Sequence, residues 1–147
     1  MERELSLAQQ KVLFDQEATL DLYRRTLGTP GADGCTCISC KNFAAQRGKV
    51  FPEVFNQFLS TLGIDPLKEW EAFDYDFGLN PDEHLYGGWF LFVGRLADSS
   101  TKRPESPAEP FGYWFTDSFP NGTLPEGQKY CAVQFFARVP WVLAEAP

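Results

Sequence analysis

One histidine, His84, serves the whole 147-residue chain. No G-x-S-x-G motif is present, and a serine nucleophile would have to take that single imidazole as its base. The sequence therefore gives no support to serine hydrolase chemistry. Clustered positive charge is also missing. The densest basic stretches are the pairs Arg24-Arg25 and Lys102-Arg103, against a net charge of −7. Nucleic-acid binders need basic patches to neutralise phosphates. The balance argues against DNA, RNA and anionic membrane surfaces as partners. Long apolar runs are lacking too. The longest, around 85–94, is broken by Gly87 and Gly88 and falls short of the roughly 18 apolar residues of a membrane span. The opening MERELSLAQQ carries Glu2 and Glu4 and no apolar segment, so no secretory signal is expected there. These absences together predict a soluble cytoplasmic protein. Gly87-Gly88 is no phosphate loop, because the G-x-x-x-x-G-K pattern and a following helix are absent; a bulge or a close backbone approach suits it better. No internal repeat is visible.

What the chain does have is aromatic bulk: fourteen Phe, five Tyr and four Trp. That is enough to build a hydrophobic core within a single domain, 1–147. DLYRRTLG reads as the last turns of a helix, with Arg24 and Arg25 near its end and Gly28 past it. A short helix is expected from Ser39 to Ala45. A clearer one spans 51–63, with Pro52 in the first turn, apolar residues at helical spacing and Gly63 as its stop. The period then changes to two. Strands are expected over 69–77, 85–96, 111–117 and 131–143, with Pro140 limiting the last. The 85–96 strand is nearly all apolar and reads as central, buried on both faces. Residues 98–110 are polar and proline-rich and read as a flexible loop. The expected fold class is α+β: N-terminal helices packed on an antiparallel sheet of about four strands.

Residues 65–83 hold Asp65, Glu69, Glu71, Asp74, Asp76, Asp82 and Glu83 against Lys68 alone. The simplest reading is a solvated face; the sharper one is a docking surface for a basic protein.

Chemistry concentrates in GCTCISCKN, residues 34–42, where Cys35, Cys37 and Cys40 crowd together. Four cysteines in a chain of this length do not make a disulfide scaffold. Cys37-x-x-Cys40 has the spacing of a metal knuckle, and Cys35 sits in a glycine-containing loop that can bend inward. Zinc holds thiolates well, and its structural sites take four protein ligands. The metal set is therefore Cys35, Cys37, Cys40 and a fourth group, for which Cys131 is preferred and His84 is the alternative. If neither closes the site, water fills an open position of the kind catalytic zinc uses. A helix starting at the cluster would also lower the thiol pKa values. Three rivals stay open: a C-x-x-C redox pair, an iron–sulfur cluster that recruits Cys131, and reduced unligated thiols.

The strings CTCISCKNF, FNQFLSTLGID, LYGGWFLFVG and ARVPWVL resemble a group of uncharacterised bacterial proteins. That group carries a C-x-C-x-x-C-x-N block and a PWVL-like ending. The resemblance covers roughly residues 20–143 and implies a shared fold and a bacterial origin, with no reaction attached. Cys35, Cys37 and Cys40 alone also resemble the block of the glutathione-dependent formaldehyde-activating zinc proteins. That likeness implies an alternative: a zinc–thiolate enzyme acting on a thiol adduct or carbonyl. The reading that fits the residues best is a small zinc protein whose ion is structural. Its expected partner is a protein, in an accessory or inhibitor (immunity-like) role, and no catalytic residue is assigned.

Overall fold

The computed structural model describes residues 2–7, 10–25, 31–76, 82–99, 111–119, 124 and 126–147. Two strands come first, β1 (Glu2–Leu7) and β2 (Gln10–Asp15). Helices α1 (Gln16–Arg25), α2 (Ile38–Ala45) and α3 (Glu53–Leu62) follow, with a 3-10 turn at Gly31–Gly34. The chain then forms β3 (Glu71–Asp74), β4 (Glu83–Ser99), β5 (Phe111–Thr116) and β6 (Tyr130–Pro140). The six strands make one antiparallel sheet in the order β1-β2-β4-β6-β5, with β3 also on β4.

The α+β class and the antiparallel sheet match expectation; the strand number and the order of elements do not. The helices are not all N-terminal, because β1 and β2 precede them. Both missed strands show period two: Leu5 and Leu7 in β1, then Val12 and Phe14 buried in β2. Polar neighbours mask this rhythm, and the main partner of β2 is the far end of β4, in the register Phe14↔Gly94. Asp15 ends β2 and starts α1 together, its carboxylate accepting the Ala18 N–H at 3.0 Å. That is a helix N-cap. Gly28, the expected stop of α1, and residues 100–110 of the expected loop lie outside the described residues, as does Phe77 of the expected 69–77 strand.

β4 organises the molecule. Its 17 residues pair with β6 over Glu83–Val93, while the other edge takes β3 over Tyr86–Trp89 and β2 over Gly94–Ser99. Tyr86, Phe90 and Phe92 belong to the main core with Phe135 and Val133 of β6. Leu91, on the alternate face, is also fully buried, but Leu85, Trp89 and Val93 on that face are half-buried and Arg95 is exposed, so burial on both faces holds only at the middle of the strand. Gly88 lets β3 come close: a Cβ there would stand 2.1 Å from the Glu71 carbonyl oxygen. α3 lays Phe55, Leu59 and Leu62 on the sheet. The Phe55 ring lies 4.8 Å from Phe111 and 4.6 Å from Tyr113. Such ring pairs contribute about 0.5–1.5 kcal/mol each beyond their buried area.

The sheet curls until β2 meets β5. The buried Gln10 side chain donates to the Phe115 carbonyl at 2.8 Å and accepts the Phe115 N–H at 2.8 Å. One side-chain amide thus stands in for a strand and satisfies both backbone groups of Phe115.

Candidate metal centre

The thiol cluster hangs between two buried polar networks. On its N-terminal side, the 3-10 turn is tied to the segment before β3. Gly31 N–H donates to the Glu69 carbonyl at 2.6 Å, and Ala32 N–H to the Glu69 carboxylate at 3.0 Å. Gly31 is needed for this approach, since a Cβ there would sit 2.4 Å from the Trp70 carbonyl oxygen. Glu69 is 1% exposed and pairs with Arg47 at 2.6 Å; Arg47 reaches Asp33 at 3.1 Å. One guanidinium therefore joins the segment beyond α2 to the turn that leads into Cys35.

On the C-terminal side, α2 is anchored to the sheet through Ser39, between the second and third cysteines. Ser39 Oγ donates to Asp74 Oδ2 at 2.8 Å, and the same oxygen meets His84 Nδ1. The Tyr86 hydroxyl donates to the Ser39 carbonyl at 2.6 Å. Burial pushes the Tyr86 phenol up to about 12. Asn42 continues the anchor: its amide donates to the Pro140 carbonyl at 3.0 Å and its oxygen accepts Val142 N–H at 2.9 Å. The Asn of the C-x-C-x-x-C-x-N block thus grips both sides of Trp141, in the PWVL ending. Two sequence motifs about a hundred residues apart are one structural unit.

Between these anchors the three sulfurs converge. The Cys35, Cys37 and Cys40 Sγ atoms all lie within 4.8 Å of one another, and Cys35 and Cys37 are 3.2 Å apart. Cys37 is the N-cap of α2, its sulfur accepting Cys40 N–H at 3.4 Å; Cys35 Sγ accepts Cys37 N–H at 3.4 Å. The expected helix start at Ser39 falls one residue earlier, at Ile38. Cys35 and Cys37 are exposed, while Cys40 is buried. The backbone N–H of Cys37, then the neighbouring thiols, draw the Cys35 pKa below its ordinary 9.0. Burial, then the two neighbouring sulfurs, push Cys40 well above it. A cation among the sulfurs would reverse the second effect, since a coordinating thiol is deprotonated outright.

Neither candidate for the fourth ligand belongs to this three-thiol group. Cys131 sits inside the sheet opposite Phe92, six positions beyond Tyr86. That is roughly 20 Å along an extended strand. Its sulfur donates to the Thr116 carbonyl at 3.3 Å, and burial pushes its pKa up to about 12. His84 is fully buried, bonded to Asp74 through Nδ1 and 4.8 Å from the Trp141 ring; its Nε2 has no hydrogen-bond partner among the described residues. The order of contacts around it differs from a nucleophilic triad: Ser39 touches the carboxylate, not the imidazole. A serine nucleophile must reach the histidine nitrogen.

The acidic stretch is less of a solvated face than its composition suggests. Glu69 and Asp74 are inside the networks described, and Asp76 accepts the Leu85 N–H at 2.7 Å. None of the anchoring residues Ser39, Asp74, Tyr86, Glu69 and Arg47 shows a local signal of this role, because each acts through a partner at least ten positions away. Comparison with family models, curated proteins and solved structures found no match.

Proposed function

We propose that this chain is a zinc-binding protein whose ion is held by Cys35, Cys37 and Cys40. The observation that carries this reading is the convergence of three sulfurs within 4.8 Å, on a scaffold anchored from both sides. Thiolates are soft ligands suited to zinc. The backbone N–H groups of Cys37 and Cys40 already point at two of the sulfurs, those of Cys35 and Cys37. The fourth position takes solvent or an external ligand at the exposed edge formed by Cys35 and Cys37. We take the ion's role as structural, tying the 35–37 segment to the first turn of α2; a solvent-filled fourth position is also the arrangement of catalytic zinc, so a zinc–thiolate enzyme acting on a thiol adduct or carbonyl stays the alternative. The biological role that fits is binding of a protein partner by an accessory or inhibitory chain. Its net charge of −7 favours a basic partner. A recess of about 550 Å³ is lined by Phe14, Asp15, Val93 and Arg95 among others, and no cysteine lines it.

A thiol redox reading has one specific observation behind it. Cys37 is exposed at a helix N-cap and Cys40 is buried three positions on. That is the arrangement of an attacking and a resolving thiol.

Elemental analysis of protein purified without chelator or metal resin tests the proposal. About one zinc per chain is expected, lost in Cys37→Ser and retained in Cys131→Ser. Equal metal in wild type and Cys37→Ser would refute it. A metal-free protein that cycles reversibly between a Cys37–Cys40 disulfide and dithiol would select the redox reading.

A further inference from the structure

The three sulfurs are unequal in access, and the inequality bears on how the ion is kept. Cys35 and Cys37 are exposed; Cys40 is 7% exposed and Cys131 fully buried. The two exposed sulfurs are also the close pair, at 3.2 Å. Both lie outside the helical backbone, Cys37 as the N-cap of α2 and Cys35 two positions before it. Cys40 is inside α2, whose first turn is fixed by the Ser39 bonds to Asp74 and from Tyr86. We propose that Cys35 and Cys37 are an oxidation site: a hydroperoxide joins them as a disulfide, and the ion is released. The inference rests on the zinc reading above and adds its regulation.

The chemistry balances with a hydroperoxide as oxidant. One thiolate attacks the peroxide; an S–O bond forms, the O–O bond breaks, and the leaving oxygen takes a proton from water. The second thiolate attacks that sulfur; the S–S bond forms, the S–O bond breaks, and hydroxide leaves to become water. The two sulfurs together lose two electrons and the peroxide gains them. Two of the three ligands are consumed. Cys40 alone cannot hold the ion, which leaves as the hydrated dication.

The experiment uses the zinc-loaded full chain and hydrogen peroxide. Samples are acid-quenched within seconds, alkylated and mapped by mass spectrometry, while a chromophoric chelator reports free zinc. The expected result is a loss of about 2 Da per chain at a Cys35–Cys37 bridge, with Cys40 and Cys131 alkylated. Zinc release should follow the bridge one for one, and Cys131→Ser should behave as wild type. A Cys37–Cys40 bridge as first product overturns the inference. So does release without any bridge, or an ion that stays in place under excess peroxide. In those cases one zinc per chain before oxidant still supports the metal reading. A chain with no zinc before oxidant removes both.

Discussion

Glu69 is the residue whose replacement should most clearly separate the scaffold of the thiol cluster from the cluster itself. Its carboxylate is 1% exposed, accepts the Ala32 N–H at 3.0 Å and meets Arg47 at 2.6 and 3.3 Å. Glu69→Ala leaves a buried backbone donor unpaired, at about 1–3 kcal/mol. It also strips Arg47 of its main partner. Breaking a fully buried pair costs about 3–5 kcal/mol. Arg47 is 17% exposed and keeps Asp33, so the lower end applies. The sum is about 4–6 kcal/mol, a large share of a domain's stability. Glu69→Gln keeps an oxygen for Ala32 and loses only the charge-assisted bonds, about 1.5–3 kcal/mol. Urea unfolding of both variants, with amide exchange at Ala32, measures these losses. Glu69→Ala should be less stable than Glu69→Gln, with faster exchange at Ala32 in Glu69→Ala alone. A Glu69→Ala protein within 1 kcal/mol of wild type would refute it, since the carboxylate would then be holding nothing.

Gln10→Ala should cost about 2–4 kcal/mol in urea unfolding, because both Phe115 backbone groups lose their partner. Phe55→Ala should cost about 3–5 kcal/mol, opening a void where the Phe111 and Tyr113 rings now pack. Alkaline stability should fall in a defined window. The folded Cys131 thiol ionises at about 12 against its ordinary 9.0. Above 9 the unfolded chain therefore holds fewer protons than the folded one, and stability declines as pH rises toward 12. Cys131→Ala, compared by denaturant midpoint at pH 8 and 10, should lose part of that slope. Zinc at a hundredfold excess over its dissociation constant should stabilise the fold by about 2.7 kcal/mol, read as a thermal shift of about 5–11 °C that Cys37→Ser abolishes.

Local pattern made much of this fold readable. α3 was legible from its apolar spacing and from Pro52 and Gly63 at its ends, and the structure bounds it at Glu53–Leu62. β4, β5 and β6 were legible because runs such as WFLFV leave water only as buried strands. β1 and β2 were not. Their partners are distant, and the burial that selects Val12 and Phe14 exists only once the end of β4 is in place.

By itself, then, the sequence determined the α+β class, the later helices and strands, and the crowding of Cys35, Cys37 and Cys40, because all of these follow from spacing along a short stretch of chain. The tertiary structure alone decided which groups the thiols meet. It carries Cys131 to the opposite end of the sheet and turns His84 onto Asp74. It brings Glu69, Asp74, Tyr86 and Asn42 from four places in the chain to brace the cluster. Proximity in sequence can gather three ligands; only the register of β3, β4 and β6 decides what stands beside them.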